Sequence, residues 1–343
     1  MVFPKFLENF GGKAVYQTNN FSFKMEGGKI IDNPLADLVP DLDGMPYPDR
    51  DIVYSKNSFL SESPIKSFFA GRGCPFNCTY CFNHAYNAMY AGKGKILRTK
   101  SVGYLLGEIK DVASRHPLKF IKFHDDIFGA DREWLLEFAE RYPAQIGLPF
   151  LCYARPNMIT DEYCKKLKRS GCFSVCLAIE SGNERIRNSI LNRQMSDAQI
   201  VAACANVKKN GMRIYSLNMI GLPTETEEEI YQTITLNRRC TVDFADASIF
   251  QPYPGTRIAD YCMSNNLIDK DKVSFASQYA SSPLNIDKEL KDSIYVLHKL
   301  FSLIVDHPKM KKSVKYLLKA GKIPLFKQIV NIFYRFYYGF YLH

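Results

Sequence analysis

The sequence lacks any uninterrupted apolar run of about 18 residues, the length that a helix needs to cross a membrane, although 46% of its 343 residues are hydrophobic. The start of the chain, Met1 to Lys5, also lacks the basic segment and apolar stretch of a secretory leader. A disordered chain is excluded too, because hydrophobic residues are abundant and only 23% of residues are charged. We therefore expect a globular protein with one large domain and appendages.

Cysteine is absent before Cys74 and after Cys262. The chain has ten cysteines, counting these two, and only Cys74, Cys78 and Cys81 are clustered. The other seven stand singly in apolar or helical stretches, where free cysteine behaves as a small buried hydrophobe; they are Cys152, Cys164, Cys172, Cys176, Cys204, Cys240 and Cys262. Free thiols suit a reducing compartment, so we expect a cytoplasmic protein.

The clustered cysteines have the spacing C-x3-C-x2-C and follow a glycine-containing turn, Gly71 to Gly73. A [4Fe-4S] cluster normally takes four thiolates, so three local ligands leave one iron open to a substrate or cofactor. A zinc knuckle is the alternative, because His84 lies three residues after Cys81 and would complete a Cys3His set. Such a knuckle would suit a nucleic-acid-binding protein whose affinity falls with salt.

The net charge of +10 permits an anionic partner but does not choose among nucleic acid, a phospholipid surface and a phosphorylated substrate. Much of the excess lies late in the chain, where lysines alternate with apolar residues and precede the aromatic run 332–341. These lysines are Lys309, Lys311, Lys312, Lys315, Lys319, Lys322 and Lys327. The pattern predicts membrane-surface contact through 309–343, with packing of the aromatics on the main domain as the alternative.

Short β-type runs alternate with helical stretches over residues 61–262, which is typical of parallel βα units. The predicted strands are 65–70, 118–123, 150–153, 173–179, 213–220 and 245–250. The predicted helices are 101–115, 132–142, 161–170, 197–210 and 227–240. We therefore predict an α/β fold with a partial TIM barrel, (β/α)6, an N-terminal linker-like segment over 1–60 and a helical C-terminal extension over 263–343.

Polar and glycine motifs follow the predicted strands, and functional residues of such barrels gather at the carboxyl ends of strands. The motifs are His124-Asp125-Asp126 after strand two, Arg155 after strand three, Glu180-Ser181-Gly182 after strand four, Gly221-Leu222-Pro223 after strand five, and Gln251 with Tyr253 after strand six. We expect these motifs and the cysteine loop to share one face of the barrel. His124 is expected to be structural, whereas Arg155, Gln251 and Tyr253 are candidates to face substrate.

With Tyr80 directly before the last cysteine, the cysteine loop resembles the signature of radical S-adenosylmethionine (radical SAM) enzymes. The resemblance implies that Cys74, Cys78 and Cys81 bind a [4Fe-4S] cluster whose open iron chelates SAM. An electron from the cluster then cleaves SAM, and the resulting 5'-deoxyadenosyl radical abstracts hydrogen from substrate. It also implies an electron donor such as flavodoxin or ferredoxin and a small-molecule or lipid-like substrate, and it disfavours nucleic acid as a partner.

The same resemblance assigns SAM contacts to the strand-end motifs. It places Tyr80 in the aromatic slot, Asp125 and Asp126 near the SAM ammonium, Glu180 and Ser181 near the ribose and methionyl groups, Arg193 on the carboxylate, and Gly221 and Pro223 near the adenine. Simpler roles stay open from the residues alone. The two aspartates could cap a turn, Arg193 could be a solvated surface residue, and Gly221 to Pro223 could be a turn before a capping box of Thr226 and Glu229.

The stretch from Asp41 to Asp49 resembles the linker that follows the cobalamin-binding domain in a B12-dependent radical SAM subgroup, whose members methylate or rearrange unactivated carbon centres. No Asp-x-His-x-x-Gly cobalamin motif is present, and 60 residues are too few for a doubly wound domain. Whether the protein uses cobalamin therefore stays open, and a missing domain or a partner would have to supply the cobalamin-binding part. The cysteine count disfavours tRNA methylthiotransferases and auxiliary-cluster peptide maturases, and a non-catalytic scaffold subunit remains an alternative.

Overall fold

The computed structural model describes residues 2–269 and 281–310, together with 313, 314, 316, 328–332 and 334. At its centre is a six-stranded parallel sheet in which spatial neighbours are also neighbours in the chain. The strands are β1 (Ile65–Phe68), β2 (Phe120–Phe123), β3 (Phe150–Ala154), β4 (Cys172–Glu180), β5 (Arg213–Ile220) and β6 (Phe244–Ile249). The six predicted strands are thus confirmed, and the sheet is the predicted partial barrel.

A short helix, Asn83–Met89, follows the cysteine loop and was not predicted. Five longer helices connect successive strands, and all five were predicted. They are α1 (Val102–Arg115), α2 (Arg132–Gln145), α3 (Asp161–Arg169), α4 (Asp197–Lys209) and α5 (Glu227–Arg239). The prediction was short only for α2, which continues through Pro143 by one further turn. A proline near the end of a helix removes few hydrogen bonds, so the last turn of α2 persists.

Side-chain caps begin these helices. Ser101, Asp131 and Thr160 each accept a hydrogen bond from a backbone N–H of the first turn of α1, α2 and α3. Helices α4 and α5 begin with complete capping boxes, the second of which is the predicted pair Thr226 and Glu229. The helix starts are therefore encoded locally in the sequence.

Alternation of burial along the strands divides the sheet into two faces. In β5, every second residue from Ile214 to Ile220 is buried against the helices, while the intervening residues face the inside of the curved sheet. The buried face packs with the helices into one apolar core that includes the stacked or edge-on rings of Phe123, Phe138 and Phe150.

Helices α6 (Arg257–Ser264) and α7 (Lys288–Asp306) follow β6. Helix α7 lies within the predicted C-terminal extension and packs against β6 and α5. Within the part of the chain that the structure describes, no helix has the length and apolarity required to cross a membrane. Most of the basic and aromatic tail 309–343 lies outside the described residues, including Lys311, Lys312, Lys315, Lys319, Lys322 and Lys327.

The segment before β1 contains only short elements, as its linker-like sequence predicted. Helices span Val2–Glu8, Asp51–Tyr54 and Ser58–Glu62, and Ser22–Lys24 pairs with Ile30–Asp32 in a hairpin. Residues 35–62 lie along the barrel, whereas the rings before them mostly contact one another. Residues 2–62 therefore do not build a doubly wound domain.

Candidate active site

The cysteine loop leaves β1 through a short ladder in which Gly71–Arg72 pairs with Arg98–Thr99. Gly73 then adopts a φ of +90°, and a Cβ added to it would collide with the backbone carbonyl of Ile96. Only glycine combines this left-handed backbone with such a close approach. The glycine turn therefore fixes the direction in which the loop leaves the sheet.

The far side of the cysteine loop is tied to the chain around residue 190. The Thr79 N–H donates to the carbonyl of Leu191 (3.2 Å), and its hydroxyl donates to the carbonyl of Ile190 (2.5 Å). The Ile258 N–H of α6 donates to the carbonyl of Thr79 (3.1 Å). Two segments that are distant in sequence thus anchor the loop.

A cavity of about 370 Å³ opens at the carboxyl ends of the strands. Its lining includes eight of the eleven predicted site residues, namely Cys74, Cys78, Tyr80, Cys81, Asp125, Asp126, Glu180 and Arg193. These residues come from the cysteine loop, the end of β2, the end of β4 and the segment before α4. The expectation that the motifs share one face is confirmed for this set.

Asp125 and Asp126 differ in environment, although the sequence prediction treated them alike. Asp125 is buried, and its two carboxylate oxygens accept hydrogen bonds from the N–H groups of Ala70 (3.0 Å) and Gly71 (2.6 Å). Burial raises the pKa of Asp125 to about 6, and the two backbone donors oppose that rise. Asp125 therefore anchors the start of the cysteine loop, whereas Asp126 is exposed at the cavity.

Tyr80, Glu180 and Arg193 form a connected polar group in the cavity wall. The Tyr80 hydroxyl donates to Oε1 of Glu180 (2.9 Å) and accepts from Nη1 of Arg193 (2.8 Å). Glu180 and Arg193 lie 3.8 Å apart as an ion pair. Burial raises the pKa of Glu180, and the Arg193 charge opposes this effect. Because Arg193 is buried, the alternative of a solvated surface arginine is wrong.

Ser181, Gly221 and Pro223 do not line this cavity, in contrast to the prediction. Ser181 is fully buried, and its hydroxyl accepts a hydrogen bond from the Asn183 N–H (3.2 Å). Gly182 of the same motif has a packing role. A Cβ there would collide with the backbone of Gln232 and Thr233, so the absence of a side chain lets helix α5 approach closely.

The turn after β5 is organised by Glu225, which the sequence analysis missed. Oε2 of Glu225 accepts from the N–H groups of Gly221 (2.7 Å) and Leu222 (3.1 Å). Pro223 is buried within this turn. Burial raises the pKa of Glu225 to about 8, against the effect of the two backbone donors. An acidic residue inside a turn that precedes a helix cap was the only available signal.

Three inward-facing residues at one level of the sheet also line the cavity, and the sequence analysis had assigned a site role to none of them. Tyr153 of β3 lies opposite Cys176 of β4 in the strand register, and the His124 and Tyr153 rings are 5.4 Å apart. Cys176 in turn lies opposite Tyr215 of β5. We call His124, Tyr153, Cys176 and Tyr215 the inner row. Burial raises the pKa of Tyr153 to about 12 and holds the pKa of Cys176 above its ordinary value, so both keep their protons.

The other six isolated cysteines are buried away from the cavity, as predicted. The remaining substrate candidates differ. Arg155 lines the cavity, whereas the buried Gln251 donates through Nε2 to the carbonyl of Ser281 (3.0 Å) and Tyr253 is half exposed. Neither Gln251 nor Tyr253 lines the cavity.

The zinc-knuckle alternative fails at His84. Its Nδ1 lies 2.5 Å from the carbonyl oxygen of Cys81, and its Nε2 accepts from the Arg257 N–H (3.3 Å), so the ring does not face the thiols. Among the described residues, no three Cys, His, Asp or Glu side chains gather around one metal ion. A [4Fe-4S] cluster does not require that arrangement, because each thiolate binds a different iron.

The polar groups of the cavity suit a polar ligand. Nε of Arg155 and Nε of Arg193 are buried without a hydrogen-bond partner, although both side chains line the cavity. Buried donors are normally satisfied, so these atoms call for an acceptor from a bound molecule or water. Burial raises the pKa of the Cys74 thiol to about 11, so an unliganded Cys74 keeps its proton at neutral pH. Three thiols beside two guanidinium groups fit an iron–sulfur cluster and an anionic ligand.

Comparison with known proteins agrees with this geometry. The chain is 29% identical over 258 residues to an uncharacterized methyltransferase of Pyrococcus horikoshii, covering 75% of this chain and 54% of the relative. It is 21% identical over 276 residues to a cytidylyl-2-hydroxyethylphosphonate methyltransferase of Streptomyces wedmorensis, covering 74% of this chain and 49% of that protein. The chain thus spans about half the length of the curated relatives it matches.

Solved structures show the same fold. The cobalamin-dependent SAM radical enzyme OxsB, solved with aqua-cobalamin and SAM bound, matches 96% of this chain and 54% of its own with a TM-score of 0.65 and 14% identity. The radical SAM methyltransferase TsrM of Kitasatospora setae, solved with a SAM analogue, matches 85% of this chain and 60% of its own with a TM-score of 0.61 and 13% identity. Residues 69–236, which hold the cysteine loop and most of the barrel, match the family model of the radical SAM superfamily, so this part of the chain is a radical SAM domain.

Proposed function

We propose that Cys74, Cys78 and Cys81 hold a [4Fe-4S] cluster with one iron open to the cavity, and that SAM binds between that iron and the polar group of Tyr80, Glu180 and Arg193. The observation that carries the proposal is that one cavity contains all three thiols and this polar group. When bound, the cluster supplies the electron that cleaves SAM to methionine and a 5'-deoxyadenosyl radical. The protein binds and orients the reactants.

The chain's own residues suit this task. Arg193 has an unpartnered Nε that can donate to the carboxylate of a bound ligand, and its Nη1 lies 4.0 Å from the Cys78 sulfur. The backbone of Glu180 has a left-handed φ of 68°, a conformation that costs conformational energy in residues other than glycine. Its carboxylate is then available to hydroxyl groups through the oxygen that Tyr80 does not use. The strain at Glu180 is consistent with a binding role.

Substrate is proposed to lie against the inner row. His124, Tyr153 and Cys176 are the inward-facing groups of that row which reach the cavity, below the polar group that would hold SAM. Along β4, Cys176 and Glu180 face the cavity with Ala178 between them, so the inner row lies deeper in the barrel than Ala178 and forms the floor of the site. A small molecule fits a space of this size, and a large rigid substrate does not.

The reaction type is proposed to be methyl transfer or another transformation of an unactivated carbon. Both curated relatives above are named methyltransferases. Residues 2–62 do not form a cobalamin domain, so we derive no step through cobalamin and propose that, if used, it is supplied from outside the described residues.

A flavodoxin or ferredoxin is proposed as electron donor. Peripheral membrane contact through 309–343 remains a proposal that salt-dependent binding to liposomes would test.

Anaerobic reconstitution with iron and sulfide tests the central proposal. The expected result is a brown protein whose reduced cluster gives an electron paramagnetic resonance (EPR) signal that changes when SAM is added, together with release of 5'-deoxyadenosine. Cys78→Ala should abolish iron binding and 5'-deoxyadenosine release. Cys204→Ala is the matched control, because this buried cysteine lies on α4 and does not line the cavity.

The outcomes separate the alternatives. Zinc alone in anaerobically purified protein would reject the cluster. A normal cluster that neither responds to SAM nor yields 5'-deoxyadenosine would favour the non-catalytic scaffold.

A further inference from the structure

Arg155 contacts the cysteine loop from the end of β3, 77 residues away along the chain. Its Nη1 lies 3.6 Å from Sγ of Cys78, within hydrogen-bonding distance for sulfur. The side chain is buried. A buried guanidinium stays charged, because its ordinary pKa is far above any working pH. Cys78 therefore has a permanent positive charge directed at its sulfur.

Two further contacts fix the guanidinium in this place. Its carbon lies 3.8 Å from the centre of the Phe76 ring, which stacks against it from within the cysteine loop. Its Nη2 donates to the backbone carbonyl of Arg193. One side chain thus joins the cysteine loop to the residue that we propose to bind the SAM carboxylate.

Arg193 adds a second, weaker contact to the same sulfur. Its Nη1 lies 4.0 Å from Cys78 Sγ, and the same nitrogen is already committed to the Tyr80 hydroxyl at 2.8 Å. Neither Cys74 nor Cys81 has an arginine contact of this kind in the described structure. The surroundings of the three thiols are therefore asymmetric, and Arg155 is the principal cause.

We propose that Arg155 is a positioning residue that raises the reduction potential of the cluster by donating to Cys78 Sγ, and that it aligns Arg193 through the Arg193 carbonyl. The proposal rests on the proposed function. Reduction adds negative charge to the cluster, and a hydrogen bond and a positive charge at a ligand sulfur stabilise the reduced form. The step is a one-electron reduction by an external low-potential donor, and no bond in the protein breaks.

The test is an EPR-monitored redox titration of reconstituted protein without SAM. Arg155→Met removes the charge and donors while keeping a side chain of similar length, and it should lower the reduced-to-oxidised ratio at least tenfold at a fixed potential. That factor corresponds to a midpoint at least about 59 mV more negative for one electron. Arg155→Lys keeps the charge but cannot bond to both Cys78 and Arg193, so its midpoint should lie between those of Arg155→Met and the unaltered protein.

Arg72→Met is the matched control. Arg72 precedes the same loop and stacks on Phe69, but it is exposed and has no sulfur contact. Its midpoint should equal that of the unaltered protein. A fully loaded Arg155→Met protein with an unshifted midpoint would overturn the proposal. If Arg155→Met takes up no cluster, Arg155→Lys decides: a negative shift supports the proposal, and an unchanged midpoint rejects it.

A separate outcome concerns the proposed function. Absence of a cluster from the unaltered protein and the Arg72 control would reject that function itself, whatever Arg155 does. A SAM titration provides a second readout. The change in the EPR signal on adding SAM should require a higher SAM concentration in Arg155→Met than in Arg72→Met, because the Arg193 backbone has lost its tether.

Discussion

The Tyr80 hydroxyl donates to the Glu180 carboxylate across 2.9 Å, and this bond links residues 100 positions apart. Tyr80 belongs to the cysteine loop and Glu180 ends β4. The hydrogen bond therefore couples the loop that carries the three thiols to the barrel strand that carries the buried carboxylate. Disturbing the pair should affect ligand binding before it affects iron binding.

Tyr80→Phe removes one hydroxyl and keeps the ring. It leaves Glu180 with one fewer donor and Arg193 with one fewer acceptor. Hydrogen bonds to charged groups contribute about 1.5–3 kcal/mol, so we expect SAM affinity to fall roughly tenfold or more while iron content is unchanged. Calorimetric titration of SAM measures the effect. Tyr86→Phe, on the helix Asn83–Met89 that follows the loop, is the control. Equal SAM affinity in both variants would contradict the prediction.

Asp125→Ala and Asp126→Ala should behave differently, although the residues are adjacent. Asp125→Ala removes the acceptor of the Ala70 and Gly71 N–H groups, which costs about 2–4 kcal/mol for two such donors. We therefore expect lower thermal stability and poor iron retention. Asp126 is exposed, so Asp126→Ala should retain both. Iron analysis and melting curves compare the two proteins, and the reverse order would reject the anchoring role of Asp125.

The fold could be predicted because its signals are local. Alternating apolar residues, a cap such as Ser101 and a glycine such as Gly171 each report on a few neighbouring positions. Strand order then followed from the regular βα succession. The same reasoning located the cysteine loop and the strand ends that surround the cavity.

Side-chain direction at those ends could not be predicted. Asp125 turns toward the neighbouring strand, Ser181 turns into the core, and Arg155 reaches Cys78, and each choice depends on segments far away in sequence. A motif identifies the strand end but not which of its side chains meets the ligand. The inner row escaped notice for the same reason, because register between strands cannot be read from one sequence.

Glu225 predicts a pH dependence of stability. Its pKa rises from 4.5 to about 8 in the folded protein, so folding favours the protonated acid. This contribution is complete below about pH 4.5 and is lost as the pH rises through about 8, by an amount on the order of 5 kcal/mol. Glu225→Gln retains an acceptor for Gly221 and carries no charge, so its stability should fall less between pH 5 and 8.

Denaturant unfolding at pH 5, 6.5 and 8 checks this difference. Glu140→Gln on α2 is the control, because Glu140 is exposed and its substitution should leave the pH profile of the unaltered protein intact. Parallel profiles for Glu225→Gln and the unaltered protein would contradict the predicted burial of an acidic proton at this turn.

Shortening the chain tests where the N-terminal segment ends, which the sequence placed at residue 60. Residues 2–34 contribute mainly the stacked rings of Phe6, Phe21 and Phe23. A chain beginning at Leu35 should therefore lose less than about 1 kcal/mol, a melting shift of a few degrees at most. Thermal melts measure this loss directly.

A chain beginning at Ser63 should lose much more. It lacks Arg50, which pairs with the buried Glu108 at 3.2 Å, and the carbonyls of Leu60 and Ser61, which accept from the buried Lys66 ammonium at 2.6 and 2.9 Å. Hydrogen bonds to charged groups contribute about 1.5–3 kcal/mol each, and Glu108 keeps its second partner, Lys100, at 2.5 Å. Equal melting temperatures for the two shortened chains would show that residues 35–62 are dispensable, and the boundary at residue 60 would stand.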